Sequence, residues 1–296
     1  MTNQAAGVLE VFLVQFLTFD PSHRAPLKRP APLVLIESGG YASPLALDAF
    51  NRAFSTHKSI RLCGSSRSEK GKRYTCDSMH RCVLCSQYRL AERRADLLAG
   101  MRSAPDAALV SLTRRHGMAS LQENWDTTDA ALRQFSKRGD WSRFQKQHSI
   151  NGYAPAVEVT LSDLGWNVHV HMLVTFARTI TPDAERHLRE AITTRWSAAV
   201  AFVGHSADAD RQTFDMCRTG DDRVRVAQYV TKQNLLHRAP DTNHGRYPAD
   251  LLAEAANGDV DDAQLYGEYL DAAFGRRLIR AYGWLSCTTN ANRETS

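Results

Sequence analysis

Two apolar, β-branched runs, Val157 to Leu161 and Val168 to Phe176, stand either side of Asp163-Leu164-Gly165-Trp166. No other feature of the chain constrains its fold as much. Asp and Gly at the centre suit a tight turn, so the runs read as the arms of an antiparallel hairpin. In the second arm His169-Val170-His171 alternates, which turns both imidazoles to one face with backbones about 7 Å apart. Two histidines held in that way can grip one metal ion; the plainer alternative is a pair of surface histidines on an edge strand. Pairing across an even turn centred between Leu164 and Gly165 sets Glu158 opposite His171 and Thr160 opposite His169. A carboxylate beside two imidazoles completes a three-ligand site with positions left for water or phosphate oxygens. An odd turn would send Glu158 to the other face.

Around the hairpin, Leu109 to Thr113 reads as a short buried strand, and Thr213 to Cys217 as another. Leu121, Trp125, Thr128, Leu132 and Phe135 recur at the helical period, as do Leu188, Ile192, Trp196, Ala199 and Val203. The second of these helices starts at Thr181-Pro182 and stops at Gly204. Further helices are expected over Leu84 to Met101, with Leu84, Tyr88, Ala91, Ala95 and Leu98 inward, over Val224 to Leu236, and near 261 to 274. Residues 20 to 44 carry five prolines and end in Gly39-Gly40, so little order is expected before about residue 60. Strands and helices mixed around a hairpin indicate an α+β fold with a central antiparallel sheet and flanking helices, in preference to a doubly wound parallel sheet. The 296 residues, 43% of them hydrophobic, suffice for one substantial core and a small satellite module.

Charge is segregated. Residues 61 to 94 carry nine Lys/Arg against three acids, whereas residues 240 to 271 carry eight acids against Arg246. With a net charge of +5, this suggests one surface for a polyanion, though a solvated basic loop would look the same. Four of the six cysteines, Cys63, Cys76, Cys82 and Cys85, fall within 23 residues. Val8 to Phe19 lacks the positive flank of a secretory leader and is too short to span a bilayer. A reducing cytoplasm is therefore expected, with no membrane partner, and there clustered cysteines more often bind metal than pair. Four thiolates match a structural Zn²⁺, with His80 able to replace one; a merely buried cysteine cluster is the alternative. Arg89, Arg93 and Arg94 on the following helix would then be held for phosphate or base contacts. Cys217 and Cys287 read as small core residues.

Gln228-Tyr229-Val230-Thr231-Lys232 places Tyr229 and Lys232 on one helix face. A phenol with a pKa near 10 is a weak nucleophile unless a polarised phosphate and a nearby ammonium help it.

Leu109-Val-Ser-Leu-Thr113, then Glu158-Val-Thr with His169-Val-His171-Met-Leu-Val, then Tyr229-Val-Thr-Lys232 follow one another as the three motifs of HUH endonucleases do. More narrowly, the chain resembles the rolling-circle plasmid replication initiators. Cys76-Asp-Ser-Met-His-Arg-Cys82-Val-Leu-Cys85 and the tail from Gly267 to Arg277 are similar to the actinobacterial plasmid branch. The likeness covers roughly residues 61 to 285. It implies that His169 and His171, with Glu158, bind a divalent ion (Mg²⁺ or Mn²⁺), that Tyr229 is the nucleophile and that Lys232 assists. It also implies a nick at the plasmid origin, presented single-stranded or as an extruded hairpin, a 5′-phosphotyrosyl intermediate, a 3′-hydroxyl primer, and host helicase and polymerase as partners. Some members carry a glutamate one turn before the tyrosine; Arg225 stands there, which leaves termination open. The organisation expected is a Pro-rich, partly disordered extension over 1–60, a cysteine-rich zinc module and basic helix over 61–100, a nuclease core over 105–237 and an acidic helical tail over 238–296. Two other functions share some of these residues: another HUH enzyme, such as a relaxase or single-strand transposase, and a non-catalytic zinc-dependent DNA-binding regulator in which Tyr229 merely packs.

Overall fold

The computed structural model describes residues 44–64, 74–232 and 245–286. The Pro-rich arm to residue 43, the basic residues Arg67 to Arg73, the expected helical stretch from 233 to 236, and Cys287 lie outside the described residues. Helices α1 (Pro44–Phe54), α2 (Lys58–Arg61) and α3 (Val83–Ser103) lead into strand β1 (Asp106–Leu112). Then come α4 (Leu121–Phe135), α5 (Arg138–Gln147), β2 (Ile150–Ser162), β3 (Gly165–Phe176) and α6 (Pro182–Phe202). The order ends with β4 (Thr213–Met216), α7 (Gly220–Val230), α8 (Pro248–Ala256), α9 (Val260–Ala272) and β5 (Tyr282–Gly283). The protein is α+β, with one antiparallel five-stranded sheet in the order β4-β1-β3-β2-β5, flanked by helices. No helix among the described residues is long and apolar enough to cross a membrane.

The hairpin extends seven residues further at the start of β2 than the apolar run alone marks, and its turn is tighter. Ser162 pairs with Gly165 across the two-residue loop Asp163-Leu164, and Gly165 takes a left-handed φ of +91° that suits glycine there. Glu158 consequently lies opposite His169, and Ala156 opposite His171. This corrects the expected register by two residues. Because the slip is even, every side chain keeps its face, and Glu158 still shares one with both histidines.

Helix α4 begins with a full capping box from Ser120 and Glu123, and α6 with Thr181 accepting from the Ala184 N–H ahead of Pro182, as helix-start chemistry dictates. Their apolar stripes meet each other: Phe135 packs edge-on to Trp196 at 6.0 Å between ring centroids. The inward face of α3 differs from expectation. Val83, Leu90, Leu97 and Met101 are buried, while Ala91 and Ala95 are exposed. Both sets repeat at the helical period, and the one with longer side chains buries more apolar area. Part of the segment expected to be irregular is helical and packed: Leu47 of α1 and Ile60 of α2 are buried, and Asn51 of α1 accepts a 2.6 Å hydrogen bond from the Tyr266 hydroxyl of α9.

Candidate active site

Glu158, His169 and His171 project from the central strands β2 and β3, where pleat and register leave little freedom of position. One carboxylate oxygen of Glu158, Oε2, lies 2.5 Å from Nε2 of His171 and 3.2 Å from Nε2 of His169. The three donor atoms fall within 4.8 Å of one another. Two imidazole nitrogens and one carboxylate oxygen on a single face form a ligand set that suits a divalent ion.

The ring of His171 is oriented from behind. The Ser111 hydroxyl on β1 lies 2.9 Å from Nδ1, which leaves Nε2 facing the site, a typical outer-shell arrangement for a metal-binding histidine. Burial pushes the His171 pKa down despite the neighbouring carboxylate, so the ring is neutral near pH 7 and able to ligate. Burial opposes ionisation of Glu158, yet hydrogen bonds from the two histidines hold its carboxyl well below the usual range. Its other oxygen, Oε1, takes a salt bridge of 2.9 Å from Lys232 Nζ.

Helix α7 delivers the tyrosine to this cluster. Thr219 and Asp222 cap its start reciprocally, and Ala227 and Val230 bury its inner face, leaving Tyr229 38% exposed. The Tyr229 hydroxyl lies 3.2 Å from His171 Nε2. Lys232 stands just past the helix end, its Nζ 3.8 Å from the centroid of the Tyr229 ring. Burial, and secondly the Glu158 charge, raise the Tyr229 pKa above its ordinary value. The phenol is therefore protonated at rest.

The arginines expected to meet DNA also bond within the protein. Arg94 donates from Nε to the Thr231 hydroxyl at 2.9 Å, pinning the residue between Val230 and Lys232. Arg89 bridges Asp77 and Glu92 at 2.5 and 2.8 Å, and Arg93 stands 4.0 Å from Asp96. Tyr247, at the start of α8, also lies in the site: burial and the nearby Glu158 carboxylate push its phenol pKa up, and Lys232 Nζ is 5.4 Å from its ring. Tyr266 and Tyr269 are buried in the core. No local pattern marks Tyr247 or Ser111, because both reach the site through tertiary contacts.

The four cysteines converge at the start of α3. Their sulfurs lie within 4.8 Å of one another, with Cys63 and Cys85 at 3.4 Å and Cys76 and Cys85 at 3.7 Å. Neighbouring thiols hold the Cys63 thiol down and push those of Cys82 and Cys85 up. One thiolate thus suppresses the next unless a cation joins them, and the set could hold a structural zinc. His80 is not part of it, since its Nε2 meets the Ala273 carbonyl at 3.1 Å. Cys217 is a buried core residue.

The chain matches no protein-family model, no curated protein and no solved structure.

Proposed function

We propose that this protein is a metal-dependent DNA-nicking enzyme that uses Tyr229 as its nucleophile and initiates rolling-circle replication of a plasmid. The observation that carries the reading is the convergence of a partly exposed tyrosine hydroxyl on a His-His-Glu ligand set, 3.2 Å from His171 Nε2. A phenol that only packed would have no reason to point its oxygen at this cluster, and Tyr229 is 38% exposed.

In the proposed reaction the Tyr229 oxygen bonds to phosphorus as the bond from phosphorus to the 3′ oxygen breaks. The phenolic proton is lost, and the departing oxygen gains one to become a 3′-hydroxyl. The 5′ end stays on the tyrosine. A divalent ion held by Glu158, His169 and His171 would polarise the phosphate and offset developing negative charge. Lys232 acts on the same charge from the ring side, and its salt bridge fixes the carboxylate so that Oε2 stays turned toward the histidines. In-line attack needs an exposed backbone, so single-stranded or extruded DNA is the substrate. The cysteine cluster, in this reading, holds zinc and braces the start of α3, whose Arg94 anchors the tyrosine helix.

Incubation with a supercoiled plasmid carrying the DNA that flanks the gene, with Mg²⁺ or Mn²⁺, tests the proposal. Open-circular product with protein bound covalently to the 5′ end is the expected result. Metal-independent binding without a nick would favour a regulator.

A further inference from the structure

Between the cysteine cluster and β5 lies a cavity of about 550 Å³, lined among others by Arg81, Arg93, Arg276, Arg277, Arg280 and Tyr282. Its lining carries one carboxylate among the described residues, Asp77, and Arg89 holds that at 2.5 Å. Arg276 is likewise committed, to Asp126 and Asp129 at 2.6 and 2.7 Å. Arg277 and Arg280 are exposed, and neither forms an ion pair with a described residue.

The decisive residue is Arg81. It is only 7% exposed, yet Nε and Nη1 are buried without a hydrogen-bond partner. Its guanidinium lies 4.8 Å from the Phe274 ring centroid, and neither orphaned nitrogen reaches a sulfur of the neighbouring cluster. The Ser78 hydroxyl, lining the same cavity, is also buried and unpartnered. Buried guanidinium donors are almost always satisfied, because leaving them bare forfeits their hydration for nothing. Arg81 and Ser78 both line this cationic space, their buried donors engage nothing else in the protein, and a planar guanidinium matches phosphate geometry.

We propose that this cavity binds a phosphodiester of a nucleic-acid strand, with Arg81 and Ser78 at its floor and Arg93, Arg277 and Arg280 tracking the adjoining backbone. Tyr282, which lines the cavity and stacks on Tyr153 at 4.7 Å, remains 39% accessible and offers aromatic surface to a base, which a free phosphate would not need. That the phosphate belongs to DNA rests on the function proposed above; the cavity and its unsatisfied donors do not.

The test uses the full chain, zinc-loaded, and a fluorescein-labelled mixed-sequence DNA duplex with a single-stranded arm, followed by anisotropy over a salt series. R277A/R280A changes only exposed side chains, so it should keep its melting temperature. Its DNA affinity should fall about tenfold, with the salt slope shallower by roughly two. R81Q should weaken binding further. Unchanged affinity and slope in R277A/R280A would overturn the proposal whatever R81Q does. Arg81-dependent binding of inorganic phosphate, with duplex affinity intact in both variants, would overturn the nucleic-acid assignment. Neither binding readout needs strand cleavage, so a protein that binds through these arginines but never nicks would refute the nicking reading alone.

Discussion

The Tyr229 hydroxyl and the His171 imidazole approach to 3.2 Å from elements that share no sequence neighbourhood, a helix end and a central strand. Their meeting is what turns a metal-ligand set into a candidate nucleophilic site. Tyr229→Phe keeps the ring, its contact with Lys232 and the helix packing, and removes only the oxygen. Stability should change by less than about 0.5 kcal/mol, while the covalent adduct with a labelled single-stranded oligonucleotide vanishes on a denaturing gel. An adduct that persists would move the nucleophile elsewhere, with Tyr247 the first residue to examine.

His169→Ala and His171→Ala should each abolish nicking at limiting metal and leave DNA affinity within about twofold, because the ion is held by these rings while phosphates are held by basic side chains. Mn²⁺ titration calorimetry checks the assignment directly. Undiminished Mn²⁺ affinity in either variant would refute it.

Glu158 and the two histidines were legible in the sequence because strand alternation is a local rule: any even register shift preserves the face, so a wrong partner still gave the right side of the sheet. The register itself was not legible, since Asp163-Leu164 and Leu164-Gly165 are both plausible turn centres and only backbone closure selects between them. Arg94 shows the opposite limit. Its place in a basic run suggested phosphate, but its half-buried position under α7 follows from how α3 and α7 pack, which no local pattern encodes. The inner face of α3 failed for the same reason.

Arg94→Ala removes the 2.9 Å bond to Thr231 at the point where α7 hands over to Lys232. Loosening that end should lower the nicking rate constant about tenfold with little change in DNA affinity, because a misplaced tyrosine costs rate more than binding. A loss of affinity with an unaltered single-turnover rate would return Arg94 to the DNA contacts.

Cys82→Ser opens one corner of the four-sulfur cluster. If the cluster holds zinc, elemental analysis should fall well below one ion per chain. Melting should drop by roughly 6–10 °C, corresponding to about 3 kcal/mol, since metal affinity at a structural site is folding free energy. Cleavage of a short single-stranded oligonucleotide below that melting range should be largely kept. Full zinc content would show that Cys82 is not a ligand.

The last prediction concerns pH. His80 is buried, and burial pulls its pKa down from 6.5 to about 4, with its hydrogen bond to the Ala273 carbonyl opposing the shift. Near neutrality neither the folded nor the unfolded state carries the proton. As pH falls through 6.5 the unfolded chain takes it up while the folded ring stays neutral, so the fold loses stability progressively down to about pH 4. Between pH 8 and pH 5 this single residue should cost about 2 kcal/mol. Thiolates of a zinc-loaded cluster would also protonate in acid, so the informative quantity is the difference between wild type and His80→Gln. Glutamine can still donate to the Ala273 carbonyl but does not titrate. Urea unfolding at pH 8 and pH 5 should therefore show a smaller pH-dependent loss in the variant than in wild type, by about 2 kcal/mol; equal losses would mean that His80 does not stay neutral in the fold.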